Sequence, residues 1–248
     1  MMKWLFRALL LLWLLLAGPM IMLIFGPLDL EGDWSTTNRR SAQLAPLPTH
    51  YPDAVIQVYA ARTWSWRGAF SIHTWIATKR LQAKAYTVYQ VIGWHQYQHQ
   101  SNVIIEYDTP DRYWFGQRPY LLLDLRGQTQ IEALITQIET AVAHYPYQNH
   151  YRIWPGPNSN TFTAFIARTV PQLGLELPPT AIGKDFLSPG QFLMTAPSGR
   201  GIQLSFYGLL GMVIGLEEGI ELNILTLNLG IDPLGVALKL PGIGRVGF

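Results

Sequence analysis

Hydrophobic and polar positions follow three different rules along this chain. The first is continuity. From Ala8 to Leu28 there are 21 residues without a charge, mostly Leu, Ile, Met, Trp and Phe. About 20 apolar residues span a bilayer, so the run predicts a transmembrane helix, and it has no polar face that would suit a buried core helix. Lys3 and Arg7 precede it, while Asp29, Glu31 and Asp33 follow. Basic residues stay on the cytoplasmic side, so the short tail is cytoplasmic and everything after the helix extracytoplasmic. The small residues at Leu16–Met20 are followed by more apolar ones, Ile21–Phe25, which favours an uncleaved signal anchor over a cleaved leader.

The second rule is alternation. Phe70, Ile72, Thr74 and Ile76 share one face of a strand, and Ser71, His73, Trp75 and Ala77 the other. A basic turn over 79–84 leads to a second strong strand, Tyr86–Trp94, so the two read as a hairpin. Ala54–Ala60 and Val103–Tyr107 are further strand candidates, and Asp108–Pro119 is an aromatic, turn-rich loop.

The third rule is helical spacing. Ile131, Leu134, Ile135, Ile138 and Val142 make one stripe within a helix over Gln128–Tyr145, ended by Pro146. A second helix carries Phe162, Phe165 and Ile166 on one side and stops at Pro171. Residues 175–199 read as Pro- and Gly-rich coil. The expected fold is therefore α+β: a small antiparallel sheet with packed helices, behind one N-terminal transmembrane helix. The expected division is anchor 1–28, polar Pro-containing stalk 29–53, α+β domain 54–200 and an apolar, Gly-rich segment 201–248 packed on the domain or on the membrane.

That last segment stays open. Phe206–Leu216 is uncharged but only 11 residues long, and extending it brings in Glu217, Glu218 and Glu221, which are costly at membrane depth. Gly211, Gly215 and Gly219 lie four apart, a spacing that permits close helix packing. Buried core, a membrane-surface or re-entrant segment, and a second span all remain as readings, and the tail from Ile220 to Phe248 has strand-like and Gly/Pro-rich parts without an assigned place.

Composition narrows the chemistry. With 18 basic and 16 acidic residues the net charge is +2, and the basic residues are dispersed, which argues against a nucleic-acid partner. The absence of cysteine excludes disulfides, thiolate metal sites and a cysteine nucleophile. His95 and His99 have helical metal-pair spacing but no third ligand nearby, Asp108 and Asp111 sit in an ordinary turn, and adjacent Glu217 and Glu218 do not suit a two-carboxylate site. No metal and no cofactor is expected.

The stretch Trp154–Ile166 holds the strongest candidate. Two prolines bracket Gly156 in a fixed turn, and Asn158 and Ser159 then supply the residue types of a helix N-cap. A hydroxyl at the positive end of a buried helix, beside free backbone N–H groups, suits a nucleophile with an oxyanion hole, and equally suits a plain cap. His73 is the candidate base and Gln90, between Val88 and Ile92 on the neighbouring strand, its orienting partner. Asn158, Asn160, Trp154, Trp75 and Trp114 are candidate binding residues, with Trp64, Trp66 and Trp94 as further groove-lining or interfacial tryptophans.

Two resemblances follow from these motifs. A strand histidine ahead of Asn-Ser-x-x-Phe at a helix start resembles the circularly permuted papain-like hydrolases of the NlpC type. This implies a papain-like fold, His73 as base and Ser159 at the family's cysteine position. A hydroxyl is far less acidic than a thiol, so the substitution works against amidase activity. Over nearly the whole chain, His73-Thr-Trp-Ile-Ala, Arg112-Tyr-Trp-Phe-Gly, Trp154-Pro-Gly-Pro-Asn-Ser-Asn-Thr-Phe and Pro178-Pro-Thr-Ala-Ile-Gly-Lys-Asp resemble a family of bacterial membrane-anchored proteins known only as a domain of unknown function. The expectation is an inner-membrane, single-pass envelope protein whose cleft binds a peptide, glycan or lipid ligand or a protein partner of the envelope. A serine-dependent acyl or peptide hydrolase and a membrane-associated scaffold are the alternatives.

Overall fold

A computed structural model describes residues 2–33, 35–188 and 190–247. Met1 and Phe248, the outer ends of the first and last expected segments, lie outside the described residues. The chain opens with helix α1 (Met2–Phe25), the one helix among the described residues long and apolar enough to cross a membrane. Pro19 sits inside it.

The first body is an antiparallel sheet of five strands, β1 (Ala54–Arg62), β2 (Ile72–Lys79), β3 (Thr87–Val91), β4 (Val103–Tyr107) and β5 (Tyr120–Gly127), in the order β4-β3-β2-β1-β5. The expected hairpin is β2–β3, in register Ile76 to Tyr89. Strand β5, which the sequence reading omitted, pairs with β1 on the other edge of the hairpin. Alternation along β2 places Ile72 and Ile76 in one core, under helices α2 (Thr129–Ala143) and α3 (Ser159–Thr169). The opposite face, with Trp75 and Ala77, builds a second core with Tyr59, Tyr86 and Trp114. Residues 40–51, in the stretch read as a stalk, lie across this second face. Ser41 Oγ and the amides of Leu44 and Ala45 donate to Asp111, and Leu44, Ala45 and Tyr51 pack there. Asp111 is thus occupied, and Asp108 pairs with Arg112.

The C-terminal region corrects the helix-spacing reading. It is a seven-stranded antiparallel sheet: β6 (Leu193–Thr195), β7 (Gly201–Phe206), β8 (Leu210–Gly215), β9 (Gly219–Ile224), β10 (Leu227–Asp232), β11 (Ala237–Leu240) and β12 (Gly244–Gly247), each paired with the next. Phe206–Leu216 therefore runs from the end of β7 through a turn at 207–209 and along β8, and is not a spanning helix. Gly211 and Gly215 lie in β8, and Gly219 opens the neighbouring β9. A Cβ on Gly215 would lie 2.3 Å from Glu218 Oε2, and Gly219, at φ +66°, starts β9 in the left-handed region.

The two bodies meet through polar groups. Asp185 accepts from Gln203 at 2.6 Å and from Asn228 at 2.9 Å. Lys184 Nζ pairs with Glu221, and Lys239 Nζ pairs with Glu221 at 2.8 Å and Glu176 at 2.6 Å. Burial alone would lower Lys184, but Asp185 and Glu221 outweigh it and hold its pKa above the usual lysine value. Burial likewise opposes ionisation of Glu221, yet Lys184 and Lys239 win and hold that carboxyl low. Arg62, at the end of β1, donates to the carbonyls of Gly242 and Ile243 in the β11–β12 turn.

Candidate functional site

Helix α3 begins where the Asn158 side chain closes it. Asn158 Oδ1 accepts from the backbone of Asn160 at 3.0 Å and Thr161 at 3.2 Å, and Thr161 Oγ1 accepts from the Asn158 amide in return. Asn158, not Ser159, is therefore the cap, and Ser159 is the first helical residue. The Asn158 Nδ2 donates to the carbonyls of Ile153 and Ile182, so both of its protons are committed. Asn160 is equally committed, donating to Ile72 and Ile182 and accepting from Thr74. The amide of Ser159 has no acceptor within its own helix, since it lies in the first turn.

Ser159 and His73 line the same pocket, of about 580 Å³, together with Asn158 and Asn160. Among the described residues no hydrogen bond joins the serine hydroxyl to the histidine. His73 Nε2 instead donates to Gln90 Oε1 at 3.3 Å, and Gln90 Nε2 is buried without a partner among the described residues. The imidazole stacks on Trp114 with ring centroids 3.7 Å apart and planes 4° from parallel. Burial pushes the His73 pKa down to about 3; the Gln90 bond opposes this only partly, and Arg112 adds to it. The ring is neutral at pH 7, yet so weak a base takes a serine proton poorly, because a general base works best with a pKa near the operating pH.

The aromatic walls are Trp64, Trp94, Trp114, Phe115 and Tyr151, beside Ile72, Ile153, Thr63 and Ser71, with Arg39 and Arg67 as the cationic residues. Arg39 lies over the Phe115 ring at 5.1 Å, and the Trp64 indole N–H is buried with no acceptor among the described residues. Reasoning from sequence missed Arg39, Arg67, Tyr151 and Phe115. They come from separate loops with no periodicity, so no local signal marks them. It also placed Trp75 and Trp154 with this pocket. Trp75 is buried behind it, donating to the Pro110 carbonyl at 2.7 Å, because its face of β2 is covered by Trp114 and the residues beside it. Trp154 lines a neighbouring hollow with Trp66, Phe70 and Leu225–Leu227, and donates to Thr226 Oγ1 at 2.8 Å. His95 and His99 lie in and just after a 3₁₀ segment, Gly93–Gln98. No group of three or more His, Cys, Asp or Glu side chains among the described residues is placed to hold a metal ion.

Comparison with known proteins adds one match. A family model described as "Protein of unknown function (DUF3750)" matches residues 53–186, which contain the five-stranded sheet, both packed helices and every residue of the Ser159–His73 pocket except Arg39. No curated protein and no solved structure matches the chain.

Proposed function

Because the chain belongs to the DUF3750 family of proteins of unknown function, which supplies no activity, we propose a function from the geometry: a membrane-anchored envelope protein whose Ser159–His73 pocket binds an envelope ligand. In this reading α1 crosses the inner membrane once and the rest of the chain is extracytoplasmic. The ligand is a peptide, glycan or lipid with an apolar or ring-bearing part and an anionic group. Its apolar part meets Trp94, Trp114 and Tyr151, and its charge meets Arg67. The observation that carries the reading is the wall composition: aromatic side chains converge beside a polar set that includes Arg67, His73 and Ser159, as in small-molecule sites. The scaffold alternative gives these walls no role.

Binding is tested on full-length protein in detergent, titrated separately with a muropeptide fraction and a short-chain phosphatidylglycerol. The expected result is a saturable adduct by native mass spectrometry and a rise in Tm with one of the two. At ligand 100-fold above Kd the stabilisation is about 2.7 kcal/mol. Arg67→Ala should weaken both signals. Absence of an adduct with either probe would sink the proposal.

The hydrolase reading keeps one specific support. Ser159 stands at the start of α3, in the same pocket as a neutral His73 held by Gln90, and the order of strand histidine before helix serine fits the permuted papain-like arrangement. Ser159 would be the nucleophile and its own amide the oxyanion donor. Fluorophosphonate labelling of the wild type, lost in Ser159→Ala and His73→Ala with folding intact, would make this reading primary. No labelling would leave binding alone.

A further inference from the structure

The seven-stranded sheet has its polarity reversed relative to a water-soluble sheet. Its inner face is polar, with Gln203, Ser205, Glu221, Asn223, Asn228 and Lys239 all buried. Its outer face is apolar across the paired strands. One row runs through Ile202, Ile214, Ile220, Ile231, Leu238 and Val246, each between 42% and 62% exposed. The two rows beside it, from Leu193 to Leu229 and from Phe206 to Leu227, are apolar at every paired position. Soluble monomers rarely expose a continuous apolar surface of this kind, and apolar-out, polar-in alternation is the rule for strands that face lipid.

Two further observations say what covers it. The first is depth. Gly18 and Pro19 of α1 are buried against the β11–β12 turn: a Cβ on Gly18 would lie 2.0 Å from the Pro241 carbonyl oxygen, and one on Gly242 would lie 2.5 Å from Pro19 N. At 1.5 Å per residue Gly18 is about 15 Å beyond Ala8, half of a hydrocarbon core about 30 Å thick. The free part of α1 before this contact is too short to cross that core, so the docked turn lies at the depth of acyl chains. The second is a gradient along the strands. The turns at the end that meets α1, over 207–209, 225–226 and 241–243, carry no charge of their own, and Arg62 of β1, a cation that reaches the last of them, is held by the Gly242 and Ile243 carbonyls. The opposite end holds the Arg200–Glu217 and Arg245–Asp232 pairs.

We infer that the outer face of the seven-stranded sheet lies against the acyl chains of the leaflet through which α1 leaves the bilayer. The uncharged turns point inward, and the two ion pairs sit at the headgroup boundary. This rests on α1 crossing the membrane, as proposed above.

Because the chain has no cysteine, single cysteines can be labelled uniquely. Leu11→Cys, Ile214→Cys, Leu222→Cys and Tyr97→Cys would each carry an NBD fluorophore on full-length protein in phosphatidylcholine–phosphatidylglycerol vesicles. All four side chains are exposed, so folding is checked simply by circular dichroism. Acyl-brominated lipid should quench positions 11, 214 and 222 several-fold more than iodide does, with the reverse at position 97. Lipid quenching at 11 with iodide quenching at 214 and 222 would overturn the sheet inference and leave the anchor intact. Iodide quenching at all three would remove both. Protection of 214 and 222 from both quenchers would mean that protein, such as a second copy of the chain, covers the face, and would overturn the inference as well.

Discussion

The two sheets of this molecule use the same antiparallel alternation and bury it differently. In the five-stranded sheet both faces are covered, by α2 and α3 on one side and by Trp114 and residues 40–51 on the other, so its central strands are buried on both sides. In the seven-stranded sheet one face meets the first body through Lys184, Asp185, Glu221 and Lys239, and the other carries the isoleucine and leucine rows. The difference teaches that a period of two says which residues share a face and does not say which face is inside. The family match stops at residue 186, before the inverted sheet begins.

The sharpest way to break this contrast is to attack the polar side of the second sheet. Glu221→Ala leaves Lys184 and Lys239 buried, with Lys184 keeping only the longer Asp185 contact and Lys239 keeping Glu176. The expected cost is about 3–5 kcal/mol, read by thermal unfolding of the full-length protein in detergent. An unchanged Tm would mean that the ion network does not hold the two bodies together. A smaller effect sharpens the apolar side. Ile76→Ala, in the closed core, should cost about 2–5 kcal/mol, whereas Leu222→Ala, on the outer face, should stay within about 0.5 kcal/mol in detergent. Equal losses from both would contradict the assignment of inside and outside.

The pH dependence concerns the first body. The folded His73 pKa, about 3, lies below its ordinary 6.5. Between those values the unfolded chain binds the extra proton, so the His73 contribution is complete above pH 6.5 and is lost as pH falls towards 3. The slope is about 1.4 kcal/mol per pH unit, or about 2 kcal/mol by pH 5. His73→Gln should flatten that part of the stability profile, and an unaltered profile would show that the imidazole is not held neutral. Smaller than the network and core losses is that of the helix cap. Asn158→Ala should cost about 1 kcal/mol from the cap itself, measured by chemical denaturation.

How much of this was legible follows from which signals are local. Strands β1 to β3 and helices α2 and α3 declare themselves through spacing, and the His73–Gln90 contact follows from two adjacent strands once their faces are assigned. The start of α3 was legible to within one residue, because Asn and Ser are both good caps and only the hydrogen bonds choose Asn158. Strand β5 begins with Tyr120-Leu-Leu-Leu, a continuous run that shows no alternation. The C-terminal sheet was hidden by its own inversion. Its strands do alternate, Ile202 against Gln203 and Leu222 against Glu221, but charged residues facing inward defeat the usual assignment, and the glycine spacing suggested helices instead. The pocket's outer residues, Arg39, Arg67 and Tyr151, come together only through the tertiary path of three separate loops.

One short loop has a mechanical consequence. The carbonyl of Ile182 receives the side chains of Asn158 and Asn160, and the carbonyl of Gly183 receives Thr161. The next two residues, Lys184 and Asp185, grip Glu221, Gln203 and Asn228 of the second sheet. Four consecutive residues thus form a strut with no slack between the sheet and the first turn of α3. Wherever the sheet is seated, the floor of the pocket is seated with it, and the height and tilt of Ser159 above that seat are set by the architecture, as a tool is held by its mount.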